Sequence, residues 1–259
     1  MRRLVIRPGG IGDFVLSLPA LERLKPDYLE VWAASPNVPL ARFADRARPI
    51  GATGLDLLGV TDPPQRLIDD LRGFDSVVSW YGANRAEFRE SVRALGLPFV
   101  FFPALPPEGA GVHATDFYLE QARAIAGAGE GGPSAGPHID CDVRRENFAA
   151  IHPFSGSAKK NWPLAKFQAL ARKLERIMPV RWCAGPEDPP LQSCVRIDDL
   201  YELACWLGSA RLYIGNDSGV THLAAAVGTP VLALFGPTDP AVWAPRGANV
   251  RVGRWKPEV

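Results

Sequence analysis

Short apolar runs alternate along the chain with longer stretches in which apolar residues recur every three or four positions, the pattern of strands followed by amphipathic helices. In the first half the pattern predicts strands at Arg3–Arg7, Tyr28–Ala33, Ser76–Trp80 and Phe99–Phe102, and helices at Asp13–Lys25, Pro64–Arg72, Asn84–Leu95 and His113–Ala128. The alternation breaks at GAGEGGPSAGP, Gly127–Pro137, whose small residues, glycines and prolines cannot hold a packed element. It then restarts with strands at Phe148–Pro153, Val180–Ala184, Arg211–Gly215 and Pro230–Phe235, and helices at Pro163–Met178, Asp198–Leu207 and Ser218–Val227. These units predict the α/β class with mainly parallel sheets, divided into domains 1–136 and 137–259.

Composition narrows the function. Among 259 residues, 29 Lys and Arg face 28 Asp and Glu, a net charge of +1, so the dense basic surface of a nucleic-acid binder is missing. The hydrophobic share of 47% is that of a folded chain. Cys141, Cys183, Cys194 and Cys205 are spaced too widely for a C-x-x-C pair and read as reduced, mostly buried thiols, with no metal site. Arg7, Pro8, two glycines and Asp13 interrupt any signal-like N-terminal stretch, and no window offers the ~20 apolar residues of a membrane span. The expected place of work is the cytoplasm, with any membrane contact peripheral, at the inner face.

Four loops at predicted strand ends could carry chemistry. In RPGGIGDF, Arg7–Phe14, glycines including Gly12 let backbone amides approach a ligand, but the G-x-G-x-x-G pattern fails because Val15 stands where the last glycine is needed. Asp13 reads either as a helix N-cap or as a carboxylate presented to a cleft as a general base. In HPFSGSAKKNWP, Ser155, Gly156 and Ser157 supply donors and Lys159 and Lys160 supply cations, a diphosphate cradle or a solvated basic turn. No P-loop pattern is present. AGPED, Ala184–Asp188, could aim a carboxylate at ribose hydroxyls or be an exposed acidic turn. In GNDSGVTHLAAAVGTPVLALFGPTDP, Ser218, Gly219 and Val220 would open a helix whose free amides favour anions, and His222 lies one turn on, either facing the same ligand or buried in the core. Trp162 and Trp243 adjoin these loops and are expected near the pocket, whereas His113 and His138 are expected at the surface. On their own, the loops indicate binding of a phosphate-bearing small molecule.

Taken together, RPGGIGDFVLSLPALERLK, HPFSGSAKKNWPLAKF and NDSGVTHLAAAVGTPVLALFGPTDP resemble, in order and placement, the family 9 glycosyltransferases, the ADP-heptose:lipopolysaccharide heptosyltransferase family. The resemblance implies the GT-B architecture, two Rossmann-like domains facing each other across a cleft. It implies inverting transfer of a sugar, heptose-like and carried on a nucleoside diphosphate such as ADP, to a lipopolysaccharide or other glycan or lipid-linked glycan acceptor, with neither metal nor cofactor. Asp13 then matches the catalytic base and Lys160 the cation that neutralises the departing diphosphate. Ser218, Gly219 and Val220 match donors to the phosphates, Asp217 and His222 match residues lining the donor pocket, and Glu187 matches the ribose-holding acid. Relative to the family pattern, the chain stops at RWKPEV where a closing helix would follow. Two alternatives keep the architecture but change the function, a sugar-nucleotide binder without transfer activity and a sugar-nucleotide epimerase. The second calls for extra acids and bases, and the chain has only four histidines.

Overall fold

The computed structural model describes residues 1–109, 111–127 and 136–256. The first half runs β1 (Arg2–Arg7), α1 (Ile11–Arg23), β2 (Tyr28–Ala33), β3 (Arg46–Pro49), α2 (Gln65–Arg72), β4 (Ser76–Ser79), α3 (Ala86–Ala94), β5 (Phe99–Phe101) and α4 (Ala114–Ala126). The second runs β6 (Ala149–His152), α5 (Leu164–Leu174), β7 (Val180–Cys183), β8 (Cys194–Val195), α6 (Leu200–Ser209), β9 (Leu212–Asn216), α7 (Gly219–Ala226), β10 (Val231–Phe235), α8 (Pro240–Trp243) and β11 (Val250–Arg254). The expected domain boundary at 136/137 adjoins residues 128–135, which lie outside the described residues.

Both sheets are parallel throughout, in the orders β3-β2-β1-β4-β5 and β11-β10-β9-β6-β7-β8. A parallel sheet is covered on both faces, which is why β1 reads as the unbroken apolar run Leu4, Val5, Ile6. Alternate residues serve opposite faces: Val5 joins the cluster of Phe14 and Leu18 from α1 and Tyr118 from α4, while Leu4 and Ile6 join that of Leu71 from α2 and Phe88 from α3. The first of these clusters continues into the second half through Leu203 and Leu207 of α6 and Leu223 and Ala224 of α7, so one apolar core runs under both sheets. Ile151, Ile214 and Phe167 form a separate cluster on the far face of the second sheet.

Three strands escape the sequence pattern because none is an apolar run. β3 is RARP, an edge strand held by charge: Arg48 Nε donates to the buried Glu30 Oε1 at 2.7 Å, and Trp32 Nε1 donates to the same oxygen at 2.8 Å. At 2% exposure the Glu30 carboxylate is cut off from water, and these donors offset the cost of burying it. β8 has two residues and β11 is a mostly exposed edge.

In each sheet the first strand of its half is central, β1 between β2 and β4, and β6 between β7 and β9. Successive connections leave such a strand in opposite directions, opening a crevice at its carboxyl end where open α/β sheets bind ligands. The loops after β1, β6 and β9 all start there.

Candidate functional site

One cavity of about 570 Å³ lies where these loops meet. The first half contributes Gly10, Ile11, Gly12, Asp13 and Leu16; the second contributes Gly156, Ser157, Lys160, Glu187, Asp217, Ser218, Gly219, His222 and Trp243.

Asp13 is not an N-cap. Gly9, at φ 128°, turns the chain, and Gly10 in extended conformation takes the cap position, so α1 starts at Ile11 and Asp13 is its third residue, with no side-chain capping bond from Gly10. A side chain on Gly9 would stand 3.4 Å from the Asp13 Cβ and 3.5 Å from its Oδ2. The glycines therefore keep the carboxylate's flank open toward the cavity. From behind, Arg7 fixes this turn: its guanidinium donates to the Asp13 backbone oxygen at 3.1 Å and to Ser17 Oγ at 3.2 Å.

Across the cavity, Lys160 Nζ is paired with Asp217 Oδ2 at 2.8 Å. Lys160 ends a short 3-10 turn, Ala158–Lys160, and only this lysine of the pair reaches the cavity; Lys159 is exposed elsewhere. The loop is anchored by Asn216, fully buried at the end of β9, which accepts from Trp162 N at 2.9 Å and donates to Pro153 O at 2.7 Å. Ser155 does not reach the wall. Its hydroxyl donates to Ser157 O at 2.8 Å and lies 2.7 Å from Asn161 Oδ1, so it shapes the loop instead. Trp162 likewise packs edge-on against Phe167, away from the cavity, while Trp243 does line it.

α7 presents its amino end to the same space. Its first amides have no acceptor within the helix and carry the positive end of its dipole. Ser218 precedes it, but its hydroxyl is not a free donor: it meets Thr221 Oγ1 at 3.2 Å, which in turn bonds Asn216 O and lies 3.1 Å from the Tyr213 hydroxyl. Burial raises Tyr213 well above its ordinary pKa, so this network stays protonated. Gly215 is required beneath it, since a Cβ there would collide with the Tyr213 hydroxyl. Val220 does not line the cavity; its side chain packs in the shared core.

His222 follows one turn into α7, where a Cβ on Gly12 would lie 3.0 Å from its Cδ2. Burial lowers its pKa to about 4, against the opposing pull of Asp217, so the ring is neutral at physiological pH. His113, expected at the surface, is half-buried: its Nδ1 accepts from Thr115 N at 3.2 Å to cap α4 and its Nε2 meets Ala244 O at 2.9 Å, while His138 is exposed.

Glu187 faces the cavity from the turn after β7. That turn is held by Asp188, whose Oδ2 accepts from Gly185 N at 2.6 Å and from His152 Nε2 at 2.8 Å. Burial works to raise the Asp188 pKa, but the bonds from His152 and Gly185 outweigh it and the net direction is down. Asn216, Asp188 and His152 thus build the site without lining it, a role that depends on contacts between distant loops.

The family profile described as glycosyltransferase family 9 (heptosyltransferase) matches residues 119–257. Among curated proteins, a lipopolysaccharide heptosyltransferase 3 of Escherichia coli is 32% identical over 121 residues, covering 40% of this chain and 36% of that protein. Its counterpart in Escherichia coli strain K12 is 28% identical over 152 residues, covering 52% and 44%. The matches thus span less than half the length of these relatives. Among solved structures, the Escherichia coli ADP-heptose lps heptosyltransferase II superposes with a TM-score of 0.72 at 18% identity, covering 97% of this chain and 90% of that one. The Escherichia coli heptosyltransferase WaaC with ADP gives 0.72 at 18% identity, covering 98% and 93%. These likenesses show the two-sheet GT-B fold, and with the match of the family profile over more than half its length the chain belongs to glycosyltransferase family 9, the heptosyltransferase family.

Proposed function

We propose that the protein is an inverting glycosyltransferase that moves a heptose-like sugar from a nucleoside-diphosphate donor of the ADP-heptose kind to a hydroxyl of a lipopolysaccharide or other cell-envelope glycan. One observation carries this reading: Asp13 stands on the cavity wall supplied by the first half, with Lys160, Asp217 and the amino end of α7 on the wall supplied by the second. The relatives' names support the choice of donor and acceptor.

Inversion needs a base beside the acceptor hydroxyl, on the face of the sugar opposite the leaving group. Asp13 takes the hydroxyl proton as its oxygen attacks the anomeric carbon. The bond from that carbon to the phosphate oxygen breaks, and negative charge gathers on the departing diphosphate. Lys160, preorganised by Asp217, and the α7 amides meet that charge where it develops. Glu187 accepts hydrogen bonds from the ribose, and neutral His222 offers a polar edge without adding charge. The reaction so drawn uses no metal ion or cofactor, because Lys160 and the helix end supply the positive charge. A lipid-linked acceptor would reach the cleft by peripheral contact with the inner face of the cytoplasmic membrane; no helix among the described residues is long and apolar enough to cross one.

A sugar-nucleotide binder without transfer would leave Asp13 with nothing to do, and an epimerase would need a further acid and base at the sugar. Asp13→Asn tests the reading. Transfer should fall by about 100-fold or more while ADP binding, measured by calorimetry, is unchanged, and the wild-type product should have inverted anomeric configuration by NMR. Undiminished turnover in the variant would remove Asp13 as the base, and a retained configuration would exclude single displacement.

A further inference from the structure

Two cysteines that take no part in the cleft stand side by side. Cys205 lies on α6 four residues after Tyr201, so both project from one face of that helix. Cys141 lies in the segment leading into β6, which is fixed by the two residues just before it: Ile139 N donates to Ala226 O at 3.0 Å, and the Tyr201 hydroxyl donates to Asp140 O at 3.1 Å. The two sulfurs are 2.7 Å apart, closer than the roughly 3.5–4.0 Å at which non-bonded carbons pack. Both side chains are reduced and only partly buried, so small oxidants reach them. Cys183, by contrast, is buried.

We propose that Cys141 and Cys205 are a modification site, a dithiol that a hydroperoxide converts reversibly to an intramolecular disulfide. Burial, and then the adjoining Cys205 sulfur, push the Cys141 thiol up to about 12, and in the proposed scheme Cys205, carried on α6, makes the first attack. The Cys205 sulfur attacks one oxygen of hydrogen peroxide, the O–O bond breaks, and the leaving hydroxide departs as water with the thiol's proton, leaving a sulfenic acid. The Cys141 sulfur then attacks that sulfur and gives up its proton as the S–O bond breaks and a second water leaves. Two thiols and one peroxide become one disulfide and two waters, and an added dithiol reverses the change.

The bond joins residues 64 apart in sequence and fastens the segment entering the second half to α6. Tyr201 on that helix also carries the Arg42 guanidinium of the first half, 4.2 Å from its ring centroid, so oxidation stiffens one side of the seam between halves.

The test treats the whole protein with hydrogen peroxide, counts thiols after denaturation and maps the peptides. The count should fall from four to two, with a 141–205 linked peptide that dithiothreitol removes. The thermal midpoint of the oxidised protein should rise by about 5–15 °C. Cys141→Ser should stop at a sulfenic acid on Cys205, trapped by dimedone. Four surviving thiols, a link through Cys183 or Cys194, or no trapped Cys205 in Cys141→Ser would overturn the proposal. Should the variant fail to fold, the wild-type peptide map decides alone.

Discussion

Among single residues, His222 gives the clearest thermodynamic consequence. A histidine in the unfolded chain takes up its proton near pH 6.5, whereas folded His222 resists until about 4. The stability contributed by the neutral ring is therefore complete above pH 6.5 and declines as the pH falls from there toward 4, by on the order of 3 kcal/mol. Urea unfolding at pH 7 and pH 4.5 should show a smaller loss in His222→Gln than in the wild type; equal losses would mean that His222 titrates normally. At this scale the sequence was readable where a motif fixes the backbone. Gly12, Asp13, Gly156, Ser157, Lys160, Glu187, Asp217, Ser218, Gly219 and His222 come to one cavity because each sits at a strand end or helix start. Ser155 belongs to the same motifs but points into its own loop, and the Val220 side chain packs in the core, which leaves Val220 only its backbone amide to offer. Adjacency in sequence does not determine the direction of a side chain. The partnership of His152 with Asp188 joins residues 36 apart and left no local mark in the chain.

Among elements, the cavity exists because two helices start side by side. A Cβ on Gly219 would stand 2.5 Å from Ile11 Cβ and 3.2 Å from Gly12 N, so only glycine lets α7 open against the first turn of α1. Gly219→Ala should force the helices apart and cost about 1–3 kcal/mol, seen as a lower thermal midpoint. A midpoint unchanged from the wild type would mean that this contact is loose in solution. The apolar strands and long amphipathic helices were legible because burial on both faces of a sheet leaves continuous Val, Ile and Leu runs. β3 was not, since its stability comes from Arg48 reaching Glu30 rather than from apolar residues. The start of α1 was placed two residues late because a glycine cap carries no polar side chain to announce it.

For the whole molecule, the halves are joined by the core shared between α1 and α7 and by polar links near α4. Arg246 pairs with Asp116, and His113 both caps α4 and meets Ala244 O at 2.9 Å. His113→Ala removes the cap and the bridge together and should cost about 1–2 kcal/mol. Its thermal midpoint should fall by about 2–8 °C, and a midpoint equal to that of the wild type would mean the bridge contributes nothing. What these joined halves hold between them is decided by metal-free calorimetric titration with ADP, comparing wild type with Lys160→Ala. ADP should bind the wild type without a divalent cation, and the variant should bind at least about tenfold more weakly, the worth of one charge-assisted contact to phosphate. Failure of ADP to bind the wild type, or equal binding by both proteins, would contradict the proposed function.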